Sequence, residues 1–578
     1  MMKRLLKIFG AMLLLCAADA GATCTASWAY FAPNSIGPAL ARCDGVGETL
    51  TIWQQPDEFG NPVLAHSAAM SLDKSRALSA LDWDDLGNHN LVNTHVSAST
   101  ALFVQLVAGG ETLVVGTNAF PADGHLPDTI ALAVGSGAPA DSYSVLVWSR
   151  TSSGESLYEI GGKNQFGAQQ LVRLNGHNIY TSTSFSNPFE DPPTECPTCI
   201  AFAGTLAIIA GSGADQFYAH ARVGQTNVFA NEGDDTFNIF GVDHLGPLTI
   251  SPGSGGANTA YIGATGSVAA LQGPLLFDGG NCTDALYVTF NAWSDNVSRQ
   301  VSVLAQPGSG VVSGLAPADV SFHCNTPFGV YPSWLELKAG PKTDAFTVDG
   351  LFAQETHIDG GGGDDFIDLT LRHDGTSTGP LFVTSSAGTV SLELDDSGST
   401  IATDVELRKD YADFTDRATH KLMAWVIWND ATDIENVTLR AGKAANDISI
   451  FAVPDDVSYF IRGGDGGTNV RLAGENIGPT SSIALVGGAG RDVFTMTPAA
   501  PGSGLVSING GSEPAGCGPG PSQCGDVLNY LGKASGAVPT SGALVPPPGD
   551  LSKVVFFNSI EAFDGIFTGC FETGGCAP

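Results

Sequence analysis

The chain has 578 residues, 73 of them glycine, and carries 59 acidic against 25 basic side chains, a formal charge of −34. Such an excess of anions excludes a nucleic-acid binder, which needs Lys and Arg against phosphate, and disfavours an anionic membrane surface. An apolar content of 43% excludes global disorder, and at roughly 150 residues per domain the length allows about four globular units or one repeat array.

Lys3, Arg4 and Lys7 precede an apolar run over residues 8–15, and small residues follow at Ala18 and Ala20. This is the pattern of a signal peptide cut after Ala20 or Ala22, so residues 1–20 are read as a leader and the rest as exported. Lipid attachment at Cys16 is the alternative, but bulky Leu15 stands where a small residue is expected. No later run reaches the roughly 18 apolar residues of a membrane helix, so no transmembrane segment is expected. Secretion or the cell surface follows, with a Gram-negative envelope as the natural setting.

Without Cys16 ten cysteines remain, in the close pairs 24 and 43, 196 and 199, 282 and 324, 517 and 524, 570 and 576. An oxidising compartment favours reading them as staples. Cys282 with Cys324 is the least secure pair, because stacked coils could hold the two too far apart. Cys196 and Cys199 form a CxxC without the second ligand pair that a zinc site needs.

Residues 21–195 hold strand-like runs at 49–52, 113–115 and 144–148. They read either as the start of a solenoid or as a β-sandwich-like cap ending in the proline-rich 188–197, with continuation preferred. The EF-hand outline at Asp82 to Asn88 has Leu86 and Asn93 at ligand positions, so it reads as a turn.

From residue 196 to 578 one unit recurs. Gly360-Gly361-Gly362-Gly363-Asp364-Asp365-Phe366-Ile367 and Gly487-Gly488-Ala489-Gly490-Arg491-Asp492-Val493-Phe494 fit GGxGxDxU, with U a large apolar residue. Near copies carry Asp215 and Asp284; looser ones fall at Asp235, Asp344, Asn446, Thr468 and Asp526. Apolar alternation of period two flanks each copy, which is the signature of a strand with one buried face. Steps between neighbouring copies are 20, 23 and 26 residues (from 215, through Asn258, to 284), 21 from 344 to 365, then 22 and 24 from 446 to 492. A unit this short cannot bury its own apolar face, so neighbours must stack. The expected fold is all-β, a parallel β-solenoid of the β-roll or β-helix kind with coils of about 22 residues. The gaps of 60 residues (284 to 344) and 81 residues (365 to 446) are read as degenerate coils, and the charged stretch 404–425 as a short helix or projecting loop.

The motif resembles the calcium-binding repeat of the RTX (haemolysin-type) β-roll proteins. That resemblance implies calcium held between turns by Asp215, Asp235, Asp284, Asp344, Asp364, Asp365 and Asp492. Calcium takes six to eight oxygens, and glycine permits the tight carbonyl-rich turns that supply them. The spacing departs from the family's nine-residue repeat, so a single ion-bearing edge is expected. Asp, Asn and Gly also favour tight turns without metal.

Catalytic signals are weak. Gly375-Thr376-Ser377-Thr378-Gly379 matches GxSxG, but a strand-like run follows where the hydrolase elbow needs a helix. Two readings result. One is a non-catalytic, calcium-stabilised solenoid acting as adhesin or structural element, with a surface or matrix glycan or protein as partner. The other is a polysaccharide lyase or glycoside hydrolase on a β-helix, using the charged cluster of Asp404, Glu406, Arg408, Lys409, Asp410, Asp413, Asp416, Arg417 and His420.

Overall fold

The computed structural model describes the chain most fully from residue 204 to 511, apart from 221–223, 245, 283–284, 326–330, 373–378, 429–432, 474–475 and 498–503. Outside that span it describes mainly strands. The fold is a parallel β-solenoid, in which successive strands fall alternately into two sheets, here called A and B. The contacts define two compact units, the first holding residues 1–258 and 273–275 and the second 259–272 and 276–578.

In the first unit, Leu157–Ile160, Gln216–Ala219 and Thr236–Ile239 stack in parallel in sheet A, with Tyr158 over Phe217 over Phe237. These three rings lie buried face to face, their centroids 4.7 and 5.0 Å apart, close to the spacing of paired strands. In sheet B, Ser144–Trp148, Thr205–Ile209, Thr226–Phe229 and Leu248–Ser251 do the same. Alternation decides which side chains enter: Leu206, Ile208 and Val228 point inward, while Ala207 and Asn227 face out. Thr112–Val115 pairs in parallel with Ser144–Trp148, which carries the same sheet back into the region before residue 195.

The second unit repeats this plan. Sheet B runs through Ala345–Asp349, Gly362–Thr370, Ala387–Asp395, Ile434–Arg440, Ser458–Arg462, Ser482–Val486 and Leu505–Asn509. Phe346, Val348, Ile367, Leu369, Leu392, Leu394, Val437 and Leu439 fill the space behind it at 1% exposure or less.

Two corrections to the sequence reading follow. The long gaps hold antiparallel meanders as well as coils. Gln300–Gln306, Ser309–Ser313 and Val320–His323 form one in sheet B. Thr403–Leu407, Tyr411–Asp416 and Leu422–Trp428 form another in sheet A. The stretch 404–425 is therefore strand and not helix or loop: Val405, Leu407, Ala412, Phe414, Ala424 and Val426 alternate inward, and the charges occupy the outward positions. While this meander widens sheet A, sheet B passes directly from Ala387–Asp395 to Ile434–Arg440.

Cys282 and Cys324, the pair thought least secure, form a disulfide with Cα atoms 5.7 Å apart. The return strand of the first meander ends beside the turn at Gly279, whose N–H donates to His323 O at 3.0 Å, and so brings the two sulfurs together. Every other proposed pair has a member outside the described residues.

Removing a stacked core ring should be costly. Phe237→Ala is expected to lose about 3–5 kcal/mol, against less than about 0.5 for Phe460→Ala on the outward face. Urea midpoints of the two variants check this.

Candidate functional site: a ladder of buried polar side chains at the turns

The residue that ends each glycine turn points into the solenoid, not out to solvent. Asp215, Asp235, Asn258, Asp344, Asp365, Asn446, Thr468, Asp492 and Asp526 are all at most 3% exposed. For all but Thr468 their role is visible in one recurring hydrogen bond, in which the side-chain oxygen accepts the backbone N–H of the corresponding residue one coil earlier; at Thr468 that N–H, of Asn446, goes to Gly467 O instead. In the first unit Ser156 N donates to Asp215 Oδ1 (2.8 Å), Asp215 N to Asp235 Oδ1 (2.8 Å) and Asp235 N to Asn258 Oδ1 (2.9 Å). In the second unit Asp344 N donates to Asp365 Oδ1 (2.7 Å), Thr468 N to Asp492 Oδ1 (2.6 Å) and Asp492 N to Asp526 Oδ1 (2.8 Å). The same bond bridges both meanders: Arg299 N reaches Asp344 Oδ1 at 2.5 Å and Thr403 N reaches Asn446 Oδ1 at 3.1 Å.

These rungs do not share one edge. Asp215, Asp235 and Asn258 stand where the chain leaves sheet B for sheet A; within the second unit so do Thr403, Asn446, Thr468, Asp492 and Asp526. Asp344 and Asp365 stand at the opposite turns, where sheet A leads into sheet B. The expected single edge is thus replaced by rungs at both edges of the second unit. Asp364, also expected as a ligand, is exposed and accepts a hydrogen bond from Thr389 Oγ1 at 3.2 Å. Asp284, residues 375–378 of the GxSxG stretch and the EF-hand outline lie outside the described residues.

The glycines serve close approach. A Cβ at Gly464 would meet Gly442 O, and one at Gly488 would meet Gly464 O, so the turns of adjacent coils touch backbone to backbone. A Cβ at Gly360 would collide with Asp365 Oδ2, and one at Gly487 with Asp492 Oδ2.

The second atom of each rung separates the turns into kinds. At Asn446, Nδ2 donates to Gly442 O (2.8 Å) and Ala444 O (2.7 Å), so this turn presents carbonyls and wants a donor. At Asp492 the turn presents a donor instead: the Gly488 N–H donates a hydrogen bond to Oδ2 at 2.8 Å. Thr468 Oγ1 accepts from Gly464 N in the same way, at 3.2 Å. At Asp235 and Asp365 the buried Oδ2 meets no hydrogen-bond donor, whereas Asp344 has the Gly340 N–H beside it as well as that of Arg299.

Electrostatics agree with this division. Burial pushes Asp235 up from 3.8 to about 8; the Asp215 N–H opposes this, and the charges of Asp215 and Asp234 add to it. Burial likewise raises Asp365 to about 7, against the Asp344 N–H and with the charges of Asp344, Asp359 and Asp364. Asp492, also raised by burial, reaches only about 6 because Thr468 and Gly488 donate to it.

The rungs fit calcium poorly. Each Oδ1 already faces an N–H dipole, Asp492 accepts N–H at both oxygens, and Gly360 and Gly487 lie close against Oδ2 of Asp365 and of Asp492. Among the described residues no three His, Cys, Asp or Glu side chains converge as a metal site.

The charged cluster is spread over the outward face of the sheet A meander. Glu406 sits opposite Asp413, and Asp413 opposite Trp425. Arg408 pairs with Glu406 (3.2 Å); Arg417 pairs with Asp404 (2.8 Å) and Asp447 (2.9 Å). Asp416 closes its own turn through Ala418 N and Thr419 Oγ1. Most of these charges are thus engaged in holding the sheet surface.

No protein-family model matches the chain, and no curated protein sequence does. The RTX resemblance rests on the turn motif alone.

Exchanging the two rung kinds should hurt both. Asp492→Asn sets an amide against the Gly488 N–H, and Asn446→Asp sets an oxygen against two carbonyls. Each is expected to lose about 1–3 kcal/mol at neutral pH, measured by denaturant unfolding.

Proposed function

We propose that this chain is an exported, non-catalytic solenoid acting at the cell surface or outside the cell as an adhesin or structural element. The observation that carries the reading is the destination of its buried polar side chains: the turn carboxyls and amides bond to the backbone of the neighbouring coil, not to a cleft. Within each unit, side chains spent this way hold coil to coil. The chain's partner is a surface or matrix glycan or protein, met by the outward faces. Those faces offer an aromatic row in sheet A, where Trp334, His357 and Phe382 stack at 3.7 and 4.3 Å. Exposed Tyr287 and Trp425 stand on the same sheet. Export rests on the leader pattern at residues 1–20, and one staple, Cys282–Cys324, suits an oxidising compartment.

A second reading, polysaccharide cleavage, draws on Glu406 facing Asp413 beside Trp425. Burial and the Glu406 charge raise the Asp413 carboxyl, as a general acid would require. The ion pairs of Arg408 and Arg417 favour a structural surface instead.

Two measurements test these readings. N-terminal sequencing of the protein recovered outside its host should begin at Gly21 or Thr23; a cytoplasmic product retaining Met1 would refute export. Depolymerisation of acidic glycans by the mature chain should be undetectable with or without calcium. Turnover that disappears in Arg408→Ala would establish the enzyme instead.

A further inference from the structure

We propose that the outward face of sheet B across Ser458–Arg462, Ser482–Val486 and Leu505–Asn509 binds a carboxylated sugar unit of a polysaccharide, with Phe460 as its platform and Arg462 as its carboxylate clamp. This rests on the glycan reading of the partner and gives that glycan a chemistry and a place.

Three observations converge on the patch. The first is charge. Sheet B turns Asp364, Asp368, Glu393 and Asp395 outward on Gly362–Thr370 and Ala387–Asp395, whereas no outward position of the three later strands is acidic. In a chain with 59 acidic side chains this is a window in an otherwise anionic surface. Asp456 and Asp465 close it in the turns on either side of Ser458–Arg462.

The second is the cation inside the window. Arg462 is exposed, and among the described residues its guanidinium meets no carboxylate. Its Cα partner in the preceding strand is Arg440, whose Nε already pairs with Glu393 Oε1 at 2.6 Å. Like charges side by side at strand spacing repel, so the pair calls for anions, and the chain supplies one to Arg440 alone. The planar fork of a guanidinium holds a carboxylate through two parallel hydrogen bonds.

The third is the ring beside that cation. Phe460 is 43% exposed and stands two residues from Arg462 on the same face. Its Cα partners, Thr438 and Ala484, are too small to cover it, and among the described residues no ring or cation stacks on it. Elsewhere the outward rings are engaged: Trp334, His357 and Phe382 lie on one another, and Arg408 covers Phe451. An open aromatic face carries partial negative charge and attracts the C–H groups on the apolar side of a sugar ring. Ring and guanidinium together match a uronic acid, whose carboxylate projects from the edge of such a ring. On the other side of Phe460, Ser458 and Ser482 join Oγ to Oγ at 2.9 Å and offer hydroxyls to those of the sugar.

The experiment is affinity electrophoresis of the full mature chain through gels holding polygalacturonate, in chelator so that no divalent ion bridges protein and polymer. The wild type should be retarded, less so as salt rises, and not retarded by the methyl-esterified polymer. Arg462→Ala and Phe460→Ala should each weaken binding about tenfold, with Arg462→Lys in between. Trp425→Ala, on sheet A, should bind as the wild type does. Retardation that Arg462→Ala and Phe460→Ala leave unchanged would overturn this site and keep the glycan reading. Equal retardation by the methyl ester, or stronger retardation by dextran sulfate, would overturn the carboxylate. No retardation by any of the three polymers would overturn the site and the glycan reading together.

Discussion

A backbone N–H at the head of one coil, donated to a side-chain oxygen at the head of the next, is the bond on which these turns depend. A turn in a two-sheet solenoid must reverse the chain while its peptide groups are pressed between neighbouring coils, where water cannot reach them. An unpaired buried amide is expensive, so each needs an acceptor supplied from within the stack. Asp and Asn are short side chains that can supply one without spoiling the packing, and these are the residues found at Asp215, Asp235, Asn258, Asp365, Asn446 and Asp492. At Thr468 the backbone takes over this part: the Asn446 N–H goes to Gly467 O, and Thr468 Oγ1 accepts only from Gly464 N within its own turn.

Glycine is the other half of the same constraint. Coils spaced by sheet hydrogen bonding leave no room for a side chain where turn lies on turn, as the contact of Gly464 with Gly442 O shows. The motif therefore has a steric origin before it has any chemical one. A sequence selected for stacked turns and one selected for ion-binding turns share their glycines and aspartates. What distinguishes them is where the second carboxylate oxygen points, and at Asp365 and Asp492 it lies against the glycine that opens the turn.

The meanders show how much the stack tolerates. Each inserts extra strands into one sheet while the other sheet continues unbroken, and in each the rung bond still closes across the insertion, over 45 residues at Arg299 to Asp344 and 43 at Thr403 to Asn446. Their outward faces hold features outside the repeat, including the Glu406 and Asp413 pair and the exposed Trp425. If the protein recognises a partner, such insertions are where two chains of the same plan would differ.

Local pattern determined the fold class. Alternation of period two and a glycine-Asp turn about every 22 residues leave little besides a parallel solenoid, because a unit that cannot bury its own face must stack. The positions of the rung residues were legible for the same reason. Tertiary structure alone decided what those residues do. Residues 404–425 read as helix or loop because outward charges mask alternation in a sequence lacking glycine and proline, and only pairing with Leu381–Thr384 and Asn446–Ile450 makes them strands. Thr403 carries no motif, and it is seen as part of the ladder only through the amide it donates to Asn446. Whether an aspartate turn meets a donor, a carbonyl or nothing depends on a coil about 22 residues away in sequence and one strand spacing away in space. Composition and spacing are blind to that distance.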